Sequence, residues 1–192
     1  PTLSDLERPA AVPDAGQPLI LLKDDSNGLG LTSQAQELME EISSIPDLAL
    51  VVIDPIQSFV SAPITTSQEA AQLYCQFCAM IASRFDASVI SIHHMSKAGL
   101  QNQEDSMQSR QSIRGSAALV DGMRMAATIS LADEKTVENI CSEEGLDFDR
   151  TRVVNFQIVK SNSSEIDTNP ITLVRRNAVL EVYKKDAIKW EF

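Results

Sequence analysis

Residues Leu48-Ala49-Leu50-Val51-Val52-Ile53-Asp54-Pro55 constrain this chain more than any other stretch, because six apolar residues run unbroken and stop at a carboxylate. An unbroken run rich in β-branched residues predicts a strand buried on both faces, as in the middle of a parallel sheet. Proline cannot donate to a sheet ladder, so Pro55 ends the strand and leaves Asp54 at its C-terminal tip. In open α/β sheets that edge is where ligands bind. A carboxylate there can hold a Mg²⁺ ion or its water shell beside nucleotide phosphates. The same two residues also suit an ordinary turn, so the neighbouring segments must decide.

They point one way. Thr66 and Glu69 have the spacing of a capping box, and Ala70, Leu73, Tyr74, Phe77, Met80 and Ile81 then recur on one helical face as far as about Asp86. A second strand-like run follows, Ser88-Val89-Ile90-Ser91-Ile92-His93-His94. Strand, long helix, strand is a βαβ unit, and its crossover makes the two strands parallel. Their C-terminal ends then share one sheet edge, which brings His93 and His94 beside Asp54. These are the only two histidines among 192 residues. Successive strand residues alternate faces, so one of the pair is expected to face the site.

On the N-terminal side, residues 1–17 hold three prolines and little periodicity, the mark of a linker or irregular segment. Leu19 to Leu22 reads as a short strand, and Gly28-Leu29-Gly30-Leu31 as the lead into a helix capped by Thr32 or Ser33. The two glycines are a weak phosphate-loop signal, because the pattern G-x-x-x-x-G-K-[ST] is absent from the chain. Pro46 closes that helix.

Residues 95–113 are polar and aperiodic, and a connection this long in a compact domain is typically functional or disordered. Lys97 and Arg110, with Arg114 just beyond, outweigh Glu104 and Asp105 and leave the loop slightly basic. Arg114-Gly115-Ser116 opens a short helix through Met123, and Met125 to Leu131 reads as a strand. Asp133 to Glu144 is an acidic connector, irregular or helical, with a solvated face. Arg152–Val159, Ile171–Val174 and Val179–Tyr183 alternate as antiparallel strands, with Arg176-Asn177 as a turn. Lys160 is expected at a hairpin tip, solvated or reaching outward.

The formal net charge of −11 excludes a wholesale nucleic-acid coat, but it is uneven. Residues 150–192 carry eight Lys or Arg against five Asp or Glu, a balance of +3, which leaves −14 on 1–149. Local phosphate contacts remain open. No apolar run approaches the ~18 residues of a membrane span, and no signal peptide is visible. Cys75 and Cys78 form C-x-x-C inside the helical pattern, without a second pair at zinc-ligand spacing. They are expected as core thiols of a reducing cytoplasm.

Taken together, the stretches LALVVIDP, SVISIHHMSKAG, IRGSAALVDGMRM and VVNFQIVKSNSS resemble the RecA-like ATPases of the plasmid RepA type, a branch of the hexameric replicative helicases. The similarity covers roughly residues 18–183, and its most specific parts are HH-x-x-K and RGS-x-ALVD. It implies an α/β fold with a mainly parallel sheet flanked by helices and C-terminal antiparallel strands. Residues 18–185 would be a partial ATPase domain and 186–192 a tail.

The resemblance further implies that Asp54 serves Mg²⁺ through water. It makes His94, or less closely His93, the γ-phosphate sensor, and residues 97–113, with Lys97 and Arg110, the single-stranded DNA loop of a hexameric ring. Arg114 and Lys160 would reach a neighbouring subunit's nucleotide, although Asn162 stands where some relatives have a second basic residue. The family's phosphate loop and catalytic glutamate are not found before Asp54. The chain is therefore expected to be the C-terminal part of a longer ATP-dependent helicase, with no ATP or Mg²⁺ bound and no hydrolysis when isolated. The alternatives are a degenerate module for oligomerisation or DNA binding, and a regulatory or repair ATPase.

Overall fold

The computed structural model describes residues 18–94, 117–163 and 169–184. The chain divides into two compact units, residues 1–94 and residues 95–192. The expected linker at 1–17, the loop carrying Lys97 and Arg110, Arg114 and the tail beyond 185 lie outside the described residues.

The first unit begins with a hairpin, β1 (Leu22–Asp25) against β2 (Gly28–Leu31). This corrects two expectations. The apolar run does not end the strand at Leu22 but starts it there, and Gly28–Leu31 is a strand rather than the lead into a helix. The turn chemistry explains both. Asn27 N donates to Asp25 Oδ1 at 2.8 Å, and Gly28 takes φ +95°, a conformation closed to side-chain-bearing residues without strain. Leu21 and Leu22 are fully buried because the chain pairs on the other side as well. Leu21 N donates to Phe59 O at 2.7 Å, and Ser61 N to Leu22 O at 3.0 Å.

Helix α1 (Ser33–Ile42) starts as expected, with Thr32 Oγ1 accepting from Ala35 N. It buries Ala35, Met39 and Ile42, at the one-turn spacings of a helical stripe. The central βαβ unit is β3 (Leu50–Ile53), α2 (Gln68–Phe85) and β4 (Ser88–Ser91). The cap of α2 is Ser67, one residue beyond the expected Thr66, with its Oγ accepting from Ala70 N. The helix ends at Asp86 in a left-handed cap, φ 51°. It buries Ala70, Ala71, Tyr74, Cys75, Phe77, Cys78 and Ile81, so both cysteines face the core. Met80, expected on that face, is 41% exposed.

β3 and β4 run parallel, with Leu50 opposite Ser88 and Ile53 opposite Ser91. The expectation that both faces are buried fails: Leu50, Val52, Ile90 and Ile92 are 48, 52, 50 and 40% exposed. Helix α2 packs on the face of Ile53 and Ser91, where Tyr74 reaches Ser91. Among the described residues of this unit nothing covers the opposite face.

The second unit holds a short helix α3 (Ala117–Gly122) and a four-stranded sheet in order β5-β6-β7-β8, entirely antiparallel: β5 (Met125–Leu131), β6 (Val153–Ser161), β7 (Ile171–Arg176) and β8 (Val179–Val182). The acidic connector is helix α4 (Glu134–Glu143), capped by Asp133, whose carboxylate accepts from Thr136 N at 2.9 Å. Ala132, Val137, Ile140, Cys141, Val153 and Val174 form the core between α4 and the sheet. Asn177, φ 57°, makes the β7–β8 turn at the expected place. The chain is thus mixed α/β, with a parallel pair in the first unit and antiparallel C-terminal strands in the second.

Candidate functional site

The site is built at the carboxyl ends of β3 and β4. A single residue, Ile92, grips the acid segment on both sides of Asp54 with its own N–H and C=O. Ile92 N donates to Ile53 O at 2.9 Å, and Ile56 N donates to Ile92 O at 2.9 Å. Asp54 and Pro55, joined by a cis peptide, lie between those two bonds, and Asp54 is exposed. Just beyond, Ile56–Ser58 forms a single 3₁₀ turn with Ile56 buried. That turn delivers Gln57, whose Nε2 lies 2.7 Å from His93 Nδ1. As placed, the amide donates and the Nδ1 lone pair accepts, which puts the neutral imidazole's proton on Nε2.

Parity separates the two histidines. His93 is half-buried and held by Gln57, whereas His94 is exposed. The strand register therefore brings Asp54, His93 and His94 to one edge of the first unit. Gln57 was missed by sequence reading. Its signal is slight, an amide three residues past the acid in a segment without periodicity.

Beneath the edge, β4 is tied to α2. Tyr74 Oη and Ser91 Oγ are 2.8 Å apart, and Cys78 Sγ is 3.8 Å from the same hydroxyl. Burial is the main cause that raises the pKa of both the Tyr74 phenol and the Cys78 thiol. A thiol so held stays protonated and is a poor nucleophile, and Cys75 and Cys78 form no disulfide. Redox chemistry at this C-x-x-C has no support.

Lys160 is not at a hairpin tip. It lies inside β6 opposite Ala126, next to a bulge that makes Val159 the extra residue. Its Nζ donates to three carbonyls at the end of α3: Val120 O at 3.0 Å, Asp121 O at 2.6 Å and Met123 O at 2.6 Å. An ammonium has three protons, and all three are engaged. The sequence could not signal this, since the acceptors are main-chain groups 37 to 40 residues away. Lys97, Arg110 and Arg114 lie outside the described residues. Among the described residues no group of three or more His, Cys, Asp or Glu could enclose a metal ion, and no helix is long and apolar enough to cross a membrane.

The first unit is thus an α/β unit with an acid and two imidazoles at the carboxyl edge of its parallel strands, the edge at which open α/β sheets in general bind ligands. A family model described as AAA domain matches residues 2–99, just over half of the chain, and the chain belongs to that family. A search of curated proteins finds no match. Among solved structures the chain is similar to one described as a DnaB-like replicative helicase in its interactions with primase. The TM-score is 0.48 at 14% identity, covering 74% of this chain and 32% of that one. It is also similar to a second solved structure, described as an ATPase domain, with a TM-score of 0.48 at 15% identity, covering 73% and 45%. The chain thus spans less than half the length of either.

Proposed function

We propose that these residues are the C-terminal part of an ATP-dependent DNA helicase or translocase of the RecA-like RepA type, which couples ATP hydrolysis at subunit interfaces to movement on single-stranded DNA. The observation that carries the reading is the N–H and C=O of Ile92, just past β4, bracketing Asp54. With membership of the AAA domain family, it supports a nucleotide site at that edge.

In this reading Asp54 supplies one carboxylate to a Mg²⁺ water shell. That fits an ion which takes one or two protein carboxylates and completes its shell with water and phosphate oxygens. When bound, the ion would neutralise charge on the transferring phosphoryl group. His94, exposed at the end of β4, reads the γ-phosphate. Lys97 and Arg110 contact DNA phosphates in the channel of a six-membered ring. Arg114 is the cation offered to the neighbouring subunit. Lys160 could join it only by exchanging three carbonyls for phosphate oxygens. The 192 residues contain no G-x-x-x-x-G-K-[ST], so the phosphate-cradling loop has to come from outside them. That absence favours the second reading, a non-enzymatic module for oligomerisation or DNA binding.

Turnover of ATP by the full-length protein separates the two. The enzyme reading expects Mg²⁺-dependent hydrolysis, lowered about a hundredfold or more by Asp54→Asn through loss of preorganised charge stabilisation. Near-normal turnover in that variant removes Asp54 from the site. A wild-type protein without turnover favours the module.

A further inference from the structure

We infer that Gln57 is a positioning residue for this edge, acting through His93 to hold His94 in register with Asp54. The inference rests on the ATPase reading above.

The β-ladder stops short of the histidines. β4 ends at Ser91, and Ile92 still makes two backbone bonds, one to Ile53 at the end of β3 and one to Ile56 in the turn beyond Asp54. The next tie along the chain is a side-chain bond, Gln57 Nε2 to His93 Nδ1 at 2.7 Å. Gln57 rides on the 3₁₀ turn three residues past Asp54, and that turn is anchored by buried Ile56. The bond therefore joins the segment leaving the acid to the segment leaving the second strand. It forms a second bracket outside the one made by the backbone of Ile92. Adjacent His94 is exposed and one peptide from the strut, so its position depends on where His93 is held.

The two histidines then have different duties. A ring whose Nδ1 already accepts a bond and which is half-buried serves as a strut, while the exposed ring is the one able to meet a phosphate. An amide is suited to the strut because its NH₂ end donates without carrying charge. A carboxylate in its place would accept from Nδ1–H, reverse the tautomer and favour imidazolium.

The test compares Gln57→Ala and the near-isosteric Gln57→Glu. Ring-nitrogen NMR of this ¹⁵N-histidine-labelled chain, assigned with His94→Ala, should find His93 carrying its proton on Nε2. Gln57→Glu should move that proton to Nδ1, and Gln57→Ala should populate both tautomers. In the full-length protein both variants should lower ATP turnover about fivefold, which is ~1 kcal/mol, the size of one lost hydrogen bond. KM for ATP and the melting temperature should hold. A residue that only fills space would tolerate the glutamate. If the wild type hydrolyses ATP and both variants match it, Gln57 has no positioning role and the ATPase reading stands. If His93 keeps one tautomer in all three proteins, the strut itself is wrong. A wild type without turnover overturns both the enzyme reading and this inference.

Discussion

The first unit puts polar side chains at a strand edge and leaves several of them open, whereas the second unit uses its polar side chains as internal ties. Asp54 and His94 are exposed at the end of the parallel pair. In the antiparallel unit, Lys160 donates to three carbonyls, Arg150 donates to Ala132 O, and Arg176 pairs with Glu144. Tyr183 donates to Glu143. The difference teaches that charge and position near a strand end do not by themselves mark a site. What matters is whether the group's hydrogen-bonding capacity is already used within the fold.

Lys160→Met gives the largest effect on stability. It removes three charge-assisted bonds and leaves the terminal carbonyls of α3 without their cation. A loss of about 2 kcal/mol in unfolding free energy is expected from urea titration of this chain. Lys160→Arg should recover part of it, since a guanidinium keeps the charge but cannot aim three donors from one point. A loss close to zero would mean that the lysine is free to leave, which would move it to the exposed class and favour the proposal that it reaches a neighbouring nucleotide.

This contrast also marks what could be read from the residues. β3, α2 and β4 were legible because long apolar runs and a 3.6-residue stripe act locally, and Pro55 fixes the strand's end. That Asp54 and the histidines leave the sheet at one edge followed from crossover topology alone. β2 was not legible. Gly-Leu-Gly-Leu has no intrinsic strand strength, and its conformation depends on the Asn27-Gly28 turn and on pairing with β1. The exposure of Val52 and Ile90 was hidden for a different reason, since hydropathy reports that a residue is apolar and not what covers it. Thr66 and Ser67 are equally able to cap, and only backbone geometry chose between them. Gln57 and Lys160 were beyond reach because their partners are distant in sequence.

Asp133→Ala sharpens the same comparison at smaller scale. The Asp133 carboxylate accepts from the side chain and backbone of Thr136, and those bonds hold its pKa below the ordinary value. Removing this N-cap should cost about 1 kcal/mol of stability. Asp54→Asn, by contrast, should change stability by less than ~0.5 kcal/mol, because the group is exposed and surface substitutions away from special features have small effects. If the two substitutions cost the same in urea titrations, the division between open and tied carboxylates does not hold.

The smallest effect is a pH dependence at Glu143. The Tyr183 hydroxyl donates to this carboxylate, and Lys184 lies 3.4 Å away. Tyr183 first, then Lys184, lower its pKa below the ordinary 4.5. A folded-state pKa below the unfolded one gives a stabilising contribution that is fully present above pH ~4.5 and is lost as pH falls through the folded value. Tyr183→Phe removes the donor and leaves the lysine, so the Glu143 midpoint should rise towards 4.5 without reaching it. Carboxylate-detected NMR titration reads that midpoint directly. The stability gap between wild type and variant should narrow as pH drops below 4.5. An unmoved Glu143 midpoint would show that the phenol bond is not made in solution. The polar tie between α4 and the β8 end would then rest on Lys184.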